Sequence, residues 1–348
     1  MLRKSLAIGA GGAALALGLT ACGGSSTAGN TASGGTSTPT VKIMVGGLNK
    51  QIYLPAMLTE KLGYFKQQGL NVELSDEPAG VEAETAMLSG SVDGVVGFYD
   101  HNIDLQGKGK STESVVQLLQ VPGEVELCRS DLKGQITSPA NWKGQKLGVT
   151  GLGSSTNFLT HYLAVRNGVA TSDVTPVAVE AGNTFIAAMQ HKSIACGMTT
   201  EPTVSQLLGN NAAYPIVDMR TAAGARQALG GVYPASCLYM ATSYVDSHKQ
   251  IVQKLANAFV ETMHWINTHS AAQITAKMPP AYYAGGGKAA YIKALADEKG
   301  IYTTNGIMPS GGPETVLKVL SAFDPTVKGH QIDLSKTYTT AFAEQANK

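Results

Sequence analysis

The chain repeats its own order of elements. Lys42-Ile-Met-Val-Gly-Gly-Leu48 is echoed by Lys146-Leu-Gly-Val-Thr-Gly-Leu152, each an apolar run that ends in Gly-Leu. A helical pattern follows in both copies, with Leu54, Met57, Leu58 and Leu62 in the first and Phe158, Leu159, Tyr162 and Leu163 in the second, the spacing of one helix face. Gly63 and Gly168 mark the ends of these helices, and second strands are predicted at 71–74 and 175–179. Ala79-Gly-Val-Glu-Ala-Glu-Thr-Ala-Met87 then aligns without a gap on Ala181-Gly-Asn-Thr-Phe-Ile-Ala-Ala-Met189, with strands predicted at 92–98 and 194–200. A strand–helix–strand–helix–strand order that recurs whole implies two α/β lobes, each a mostly parallel sheet flanked by helices. Ligands of such sheets bind outside the carboxyl ends of the strands. Those ends are polar or small in both copies: 47–51 and 99–101 in the first, 151–157 and 201–202 in the second. Two lobes presenting them to each other form a cleft.

Gly151-Leu-Gly-Ser-Ser-Thr156 is the sharpest chemical feature of that cleft. Its glycines let the backbone approach a ligand closely, and Ser154 or Ser155 can cap the helix that begins there. The first free N–H groups and the positive end of the dipole then point at the ligand, which suits an anion without any arginine. Gly153, Ser154, Ser155 and Thr156 are therefore candidate ligand residues. The same string imitates a dinucleotide fingerprint, with Glu180 ending the next strand, but Thr156 stands where the third small residue belongs. Ser154 is not in a GxSxG elbow. Tyr99-Asp100-His101 invites a catalytic dyad, yet neighbours on a strand point to opposite faces. Tyr99 and His101 are read instead as a cleft wall and a hydrogen-bond donor, with Asp100 on the other face. Glu201, opposite Tyr99 in the repeat, is the candidate acid, either contacting a donor on the ligand or bracing a loop. Asn49, Gln51 and Tyr53 complete the near wall. No catalytic residue is assigned.

Residues 1–21 carry Arg3 and Lys4 ahead of an apolar stretch too short to span a bilayer, ending in Leu19-Thr20-Ala21-Cys22. This resembles the bacterial lipobox, which implies acylation of Cys22. Residues 22–40 are almost entirely Gly, Ser, Thr, Ala and Asn, a composition that behaves as a flexible tether. The expected location is extracytoplasmic, with the protein anchored to the cell membrane by its N-terminal lipid. With 26 basic and 25 acidic residues in 348, the chain offers nucleic acid no electrostatic footprint. Cysteine and histidine spacings give no zinc pattern, so neither a metal nor a cofactor is expected.

Longer matches carry a family resemblance. They include Glu60-Lys-Leu-Gly-Tyr-Phe-Lys-Gln-Gln-Gly-Leu-Asn-Val-Glu73, Leu88-Ser-Gly-Ser-Val-Asp-Gly94, Trp142-Lys-Gly-Gln-Lys-Leu-Gly-Val-Thr150, Gly153-Ser-Ser-Thr156 and Gly197-Met-Thr-Thr-Glu-Pro202. In order and spacing the chain resembles the extracytoplasmic solute-binding proteins of ABC importers in the nitrate, taurine and alkanesulfonate group. The resemblance implies a two-lobed periplasmic-binding-protein fold, type II-like, with a hinge of crossing strands. It implies no enzymatic chemistry, a monomer, capture of a small organic anion between closing lobes and delivery to a membrane permease. Lobe 1 is expected at 41–127 and 238–348, and lobe 2 at 128–237. The helices after Ser243, with Ile251, Leu255, Ala258, Phe259, Thr262 and Trp265 as an apolar stripe, would buttress lobe 1. One departure is Ser193-Ile-Ala-Cys196, where the family usually has Ile-Asp-Ala, whereas the first copy keeps Asp93; the acid is read as structural. Family members cross between lobes at 123–130 and 236–242, and crossing strands laid side by side would join Cys128 to Cys237, leaving Cys196 buried and reduced. The alternatives are an enzyme or binding protein related to pyrimidine-precursor synthases, whose cysteine-rich motif is absent here, and a ligand-presenting sensor module.

Overall fold

A computed structural model describes residues 38–348, so the expected leader, the expected lipid site at Cys22 and nearly all of the expected tether lie outside the described residues. The repeat appears strand by strand. The first half supplies β1 (Thr40–Val45), β2 (Asn71–Asp76), β3 (Gly94–Phe98) and β4 (Thr112–Gln117), and the chain then crosses into β5 (Glu124–Arg129). The second supplies β6 (Lys146–Val149), β7 (Thr175–Ala178), β8 (Cys196–Thr200) and β9 (Ala213–Asp218), and crosses back into β10 (Ser236–Ala241). Among the described residues these make two five-stranded sheets, ordered β2-β1-β3-β10-β4 and β7-β6-β8-β5-β9. β1 to β3 pair in parallel, as do β6 to β8, while the crossing strands β10 and β5 run antiparallel to both of their neighbours. Each sheet is thus mixed, four strands running one way and one strand, lent by the other half, running against them. β3, Gly-Val-Val-Gly-Phe, is buried throughout, as a strand covered on both faces must be.

The departure between the copies has a local cause. The Asp93 carboxylate accepts the Lys42 N–H at 2.8 Å, adding to the bond from Asp93 N–H to the Lys42 carbonyl. In the second copy the Ala195 N–H bonds Lys146 in the same way, and there is no carboxylate to add the second bond. The acid is structural, as its position suggested.

Helix Lys249–Thr268 buries Leu255, Ala258, Phe259, Met263 and Ile266; Phe259 meets Phe65 edge-on at 5.4 Å. Thr262, inside the apolar stripe, is buried because its hydroxyl pairs with that of Thr59 at 2.7 Å. Not all of the C-terminal helices serve one sheet. Helix Gly312–Ser321 packs against helices Asp100–Gly107 and Ser155–Arg166. Its Val316, Val319 and Leu320 join a core that runs from Val95 and Tyr239 of the first sheet to Met198 of the second.

The disulfide differs from expectation. Cys128 is joined to Cys196, and Cys237 is a buried free thiol. The assumption that the crossing strands lie side by side fails because they enter different sheets. β5 pairs antiparallel with β8, which sets Cys128 directly opposite Cys196. Cys237 on β10 lies between Gly97 and Gln117 of the other sheet.

Candidate functional site

The carboxyl ends of β1 and β6 face one small cavity. On the β1 side the chain turns through Gly46 and Gly47, and Lys50 folds back beneath the turn. Its ammonium donates to the carbonyls of Gly46 at 2.7 Å and Pro78 at 2.8 Å, and the residue is 5% exposed. Gly47 is required twice over: its φ is +120°, and a Cβ there would come within 2.4 Å of the Lys50 stem. Burial lowers the Lys50 pKa to about 8, against the opposing pull of Glu124 and more distant acids. Tyr53 stands beside it. Burial, with Glu124 and Asp100 nearby, pushes its phenol well above the ordinary value, so it remains a hydrogen-bond donor.

On the β6 side, Gly151 to Gly153 turn the chain into helix Ser155–Arg166, whose N-cap is Ser154. Ser154 does not cap its own helix. Its hydroxyl accepts the N–H of Val81 at 3.2 Å, near the start of helix Gly80–Leu88 on the other side of the cavity. A Cβ on Gly151 would lie 2.9 Å from that of Ala79, so the glycine permits this close approach. The Ser155 hydroxyl donates to Asp100 at 2.7 Å, and Tyr233 donates to the second oxygen of the same carboxylate at 2.8 Å. The Thr156 hydroxyl is engaged with the N–H and hydroxyl of Thr150, both at 2.9 Å, which leaves its backbone N–H as the group it can offer. The starts of helices Gly80–Leu88 and Ser155–Arg166 therefore meet the cavity from opposite sides, with the positive ends of their dipoles inward. Lys50 lies between them.

Of the residues expected at the cleft, Tyr53, Ser154, Ser155 and Thr156 line this cavity. Gly153 shapes its turn, donating its N–H to Asn157 at 3.0 Å. Asn49 is exposed next to buried Lys50. The Gln51 amide turns away and donates to the Tyr291 carbonyl at 3.1 Å. Tyr99 is fully buried and bonded to Thr337. His101 pairs with Glu84 at 2.6 Å. Burial opposes the charge on its ring, and Glu84, together with Asp100 and Asp104, outweighs that, lifting His101 to about 9. Strand alternation does not hold at 99–101 because β3 ends at Phe98 and a helix begins at Asp100. Asp100, expected on the far face, is the one of the three that contacts Ser155.

Glu201 is a brace. It is fully buried, paired with Arg220 at 2.7 Å, and it accepts the Ser205 N–H at 3.0 Å. Arg220 also grips Asp218 at 2.6 Å. Replacing Arg220 with Met leaves the Glu201 carboxylate buried without its cation. Urea unfolding at neutral pH should then show a loss of about 2 kcal/mol. Adding Glu201→Gln should recover part of it; additive losses in the double variant would show that the two side chains are not coupled.

Sequence reasoning missed Lys50 and Glu124, both of which line the cavity. Lys50 stood within the polar strand end already singled out. Glu124 carried no local signal, since only the crossing topology brings the start of β5 to this place. Among the described residues no helix is long and apolar enough to cross a membrane, and no group of acids, histidines and cysteines could hold a metal ion.

The chain matches the family model described as NMT1/THI5 like over residues 52–272. A solved structure from Bordetella bronchiseptica RB50 is 32% identical, with a TM-score of 0.85, covering 89% of this chain and 98% of its own. The alkanesulfonate-binding protein SsuA from Xanthomonas axonopodis pv. citri, bound to MOPS, has a TM-score of 0.68 at 15% identity, covering 86% of this chain and 98% of its own. The periplasmic nitrate-binding protein NrtA from Synechocystis PCC 6803 has a TM-score of 0.67 at 13% identity, covering 89% and 88%. The last two show a shared fold, that of periplasmic binding proteins. Among curated proteins there is no match.

Proposed function

The chain belongs to the NMT1/THI5-like family, and from that premise we propose that it is the solute-capturing component of an ABC importer. It binds a small organic anion between its two lobes and hands it to a membrane permease, without chemistry of its own. The two lobes follow the two sheets, the chain crossing from the first to the second at β5 and back at β10. The acylated Cys22 and the tether hold it outside the cytoplasm as a monomer. The observation that carries the reading is convergence. A buried ammonium and two helix starts, one from each side, point into a single cavity. Sulfonate, carboxylate and nitrate are satisfied by such an array of N–H donors. Lys50, Tyr53 and the N–H groups of Ser155 and Thr156 supply the donors, and Ser154 ties the lobes together over them.

Thermal unfolding of the soluble form starting at Val41, against a panel of nitrate, alkanesulfonates and carboxylates, tests this. A ligand at 100 times its dissociation constant should stabilise the protein by about 2.7 kcal/mol. A panel in which no anion raises the midpoint, while neutral heterocycles do, would overturn it.

A further inference from the structure

Glu124 is the one polar group of the cavity that the capture of an anion leaves unexplained. It is the first residue of β5, 2% exposed, and its Oε2 is buried without a hydrogen-bond partner. None of the ion pairs among the described residues includes it. The groups around it are few. Lys50 is the single cation of the cavity, and two of its N–H bonds go to carbonyls. Asp100 faces it from the first-lobe helix, Tyr53 and Tyr233 present phenols, and Glu126 follows two residues along the same strand. On the neighbouring strand β9, Asp218 is bound by Arg220. Behind Asp100, His101 is bound by Glu84.

An anion entering this space would meet the Glu124 carboxyl and one ammonium, with the Asp100 carboxylate behind the Ser155 hydroxyl. The lining carboxyl must be neutral for the cavity to close on the anion. Asp100, though burial raises it too, already receives two hydroxyl donors that favour its charged form. Glu124 has none. We propose that Glu124 contacts the captured anion as a neutral carboxylic acid, so that each anion enters the cavity together with one proton drawn from solvent onto the Glu124 carboxylate. The inference rests on the anion reading above and adds its proton. The acid O–H donates to an anion oxygen, where a carboxylate would repel it. Burial, then Asp100, pushes the Glu124 carboxyl well above its ordinary range, in the same direction. Affinity is greatest where the ligand-free protein already holds the proton and falls about tenfold per pH unit above that point.

Calorimetry with methanesulfonate, whose charge is fixed near neutrality, decides the matter. At a pH above the point where Glu124 titrates in the ligand-free protein, and in two buffers of different ionisation enthalpy, the wild type should take up close to one proton per anion bound. Glu124→Gln should bind several-fold more weakly in acid yet take up no proton, and it should exceed the wild type above neutrality. A decline near pH 8 that persists in this variant belongs to Lys50. Glu126→Gln, whose parent carboxyl is bonded to Thr160, should keep the proton uptake. Equal heats in both buffers for the wild type, or uptake that survives in Glu124→Gln, would overturn the proposal while leaving anion capture intact. Absence of any anion binding would overturn the parent reading as well. Carbon-13 NMR of labelled glutamate side chains, with Glu124→Gln for assignment, reads protonation independently of ligand. A Glu124 signal that titrates in the ordinary carboxylate range would sink the proposal.

Discussion

Lys50→Met is expected to weaken anion capture by roughly thirtyfold or more, the cost of about 2–5 kcal/mol for truncating one partner of a buried charged hydrogen bond. The ammonium is the single positive side chain lining the cavity. Met keeps the length and apolar stem of the side chain, so packing against the Gly46–Gly47 turn survives. Stability should change much less than binding, because two effects oppose each other. The carbonyls of Gly46 and Pro78 lose their donor, at about 1–3 kcal/mol for each buried group left unpaired, while the protein no longer buries an ammonium. Gly47→Ala serves as an independent probe, since its Cβ would displace the Lys50 stem rather than remove its charge. The wild type itself should lose affinity as pH rises through about 8, where Lys50 gives up its proton. Calorimetry with methanesulfonate measures all three. If Lys50→Met binds within a few-fold of the wild type, the anion is held elsewhere and the lysine only supports the turn.

The architecture was legible because it is written in periods. Apolar runs ending in Gly-Leu, helices closed by Gly63 and Gly168, and the gapless echo of Ala79–Met87 in Ala181–Met189 all became the corresponding strands and helices. The Gly-Ser-Ser-Thr turn was legible for the same reason, a strand that stops and a helix that starts. What could not be read was the pairing of distant segments. Tyr99 to His101 were assigned faces as strand residues, but β3 ended one residue too early for that. Glu201 stayed undecided between ligand acid and loop brace because nothing near it in sequence announces Arg220 as its partner. Lys50 and Glu124 lie far apart in the chain and share a cavity only because β5 is inserted into the sheet of the second half. The cysteine error has the same root. Two crossing strands were expected to be neighbours, and each instead lies between two strands of a different sheet.

Breaking the Cys128–Cys196 bond is expected to be the largest single loss of stability. The bond joins residues 68 apart in sequence, and the chain-entropy model gives about 4 kcal/mol for a closed loop of that length. For a protein of this size that corresponds to a fall of roughly 10 °C in the unfolding midpoint. The loop contains β6, β7, the turn at Gly151–Thr156 and helix Ser155–Arg166. Reduction therefore releases the half of the cavity that carries the helix start, and it should loosen ligand-free protein more than ligand-bound protein. The paired substitution Cys128→Ala with Cys196→Ala, compared with Cys237→Ala alone, separates the bond from the packing of a buried thiol. Cys237 lies within the other sheet and carries no cross-link, so its removal should cost only a small cavity, about 1 kcal/mol. Non-reduced peptide mapping provides the direct check: the Cys128 and Cys196 peptides should migrate as one species, and Cys237 should react with a thiol reagent only after unfolding. A Cys128–Cys237 peptide, or an unchanged midpoint in the paired variant, would mean that β5 is fastened to the first sheet rather than the second, and the strand order of both sheets would fall with it.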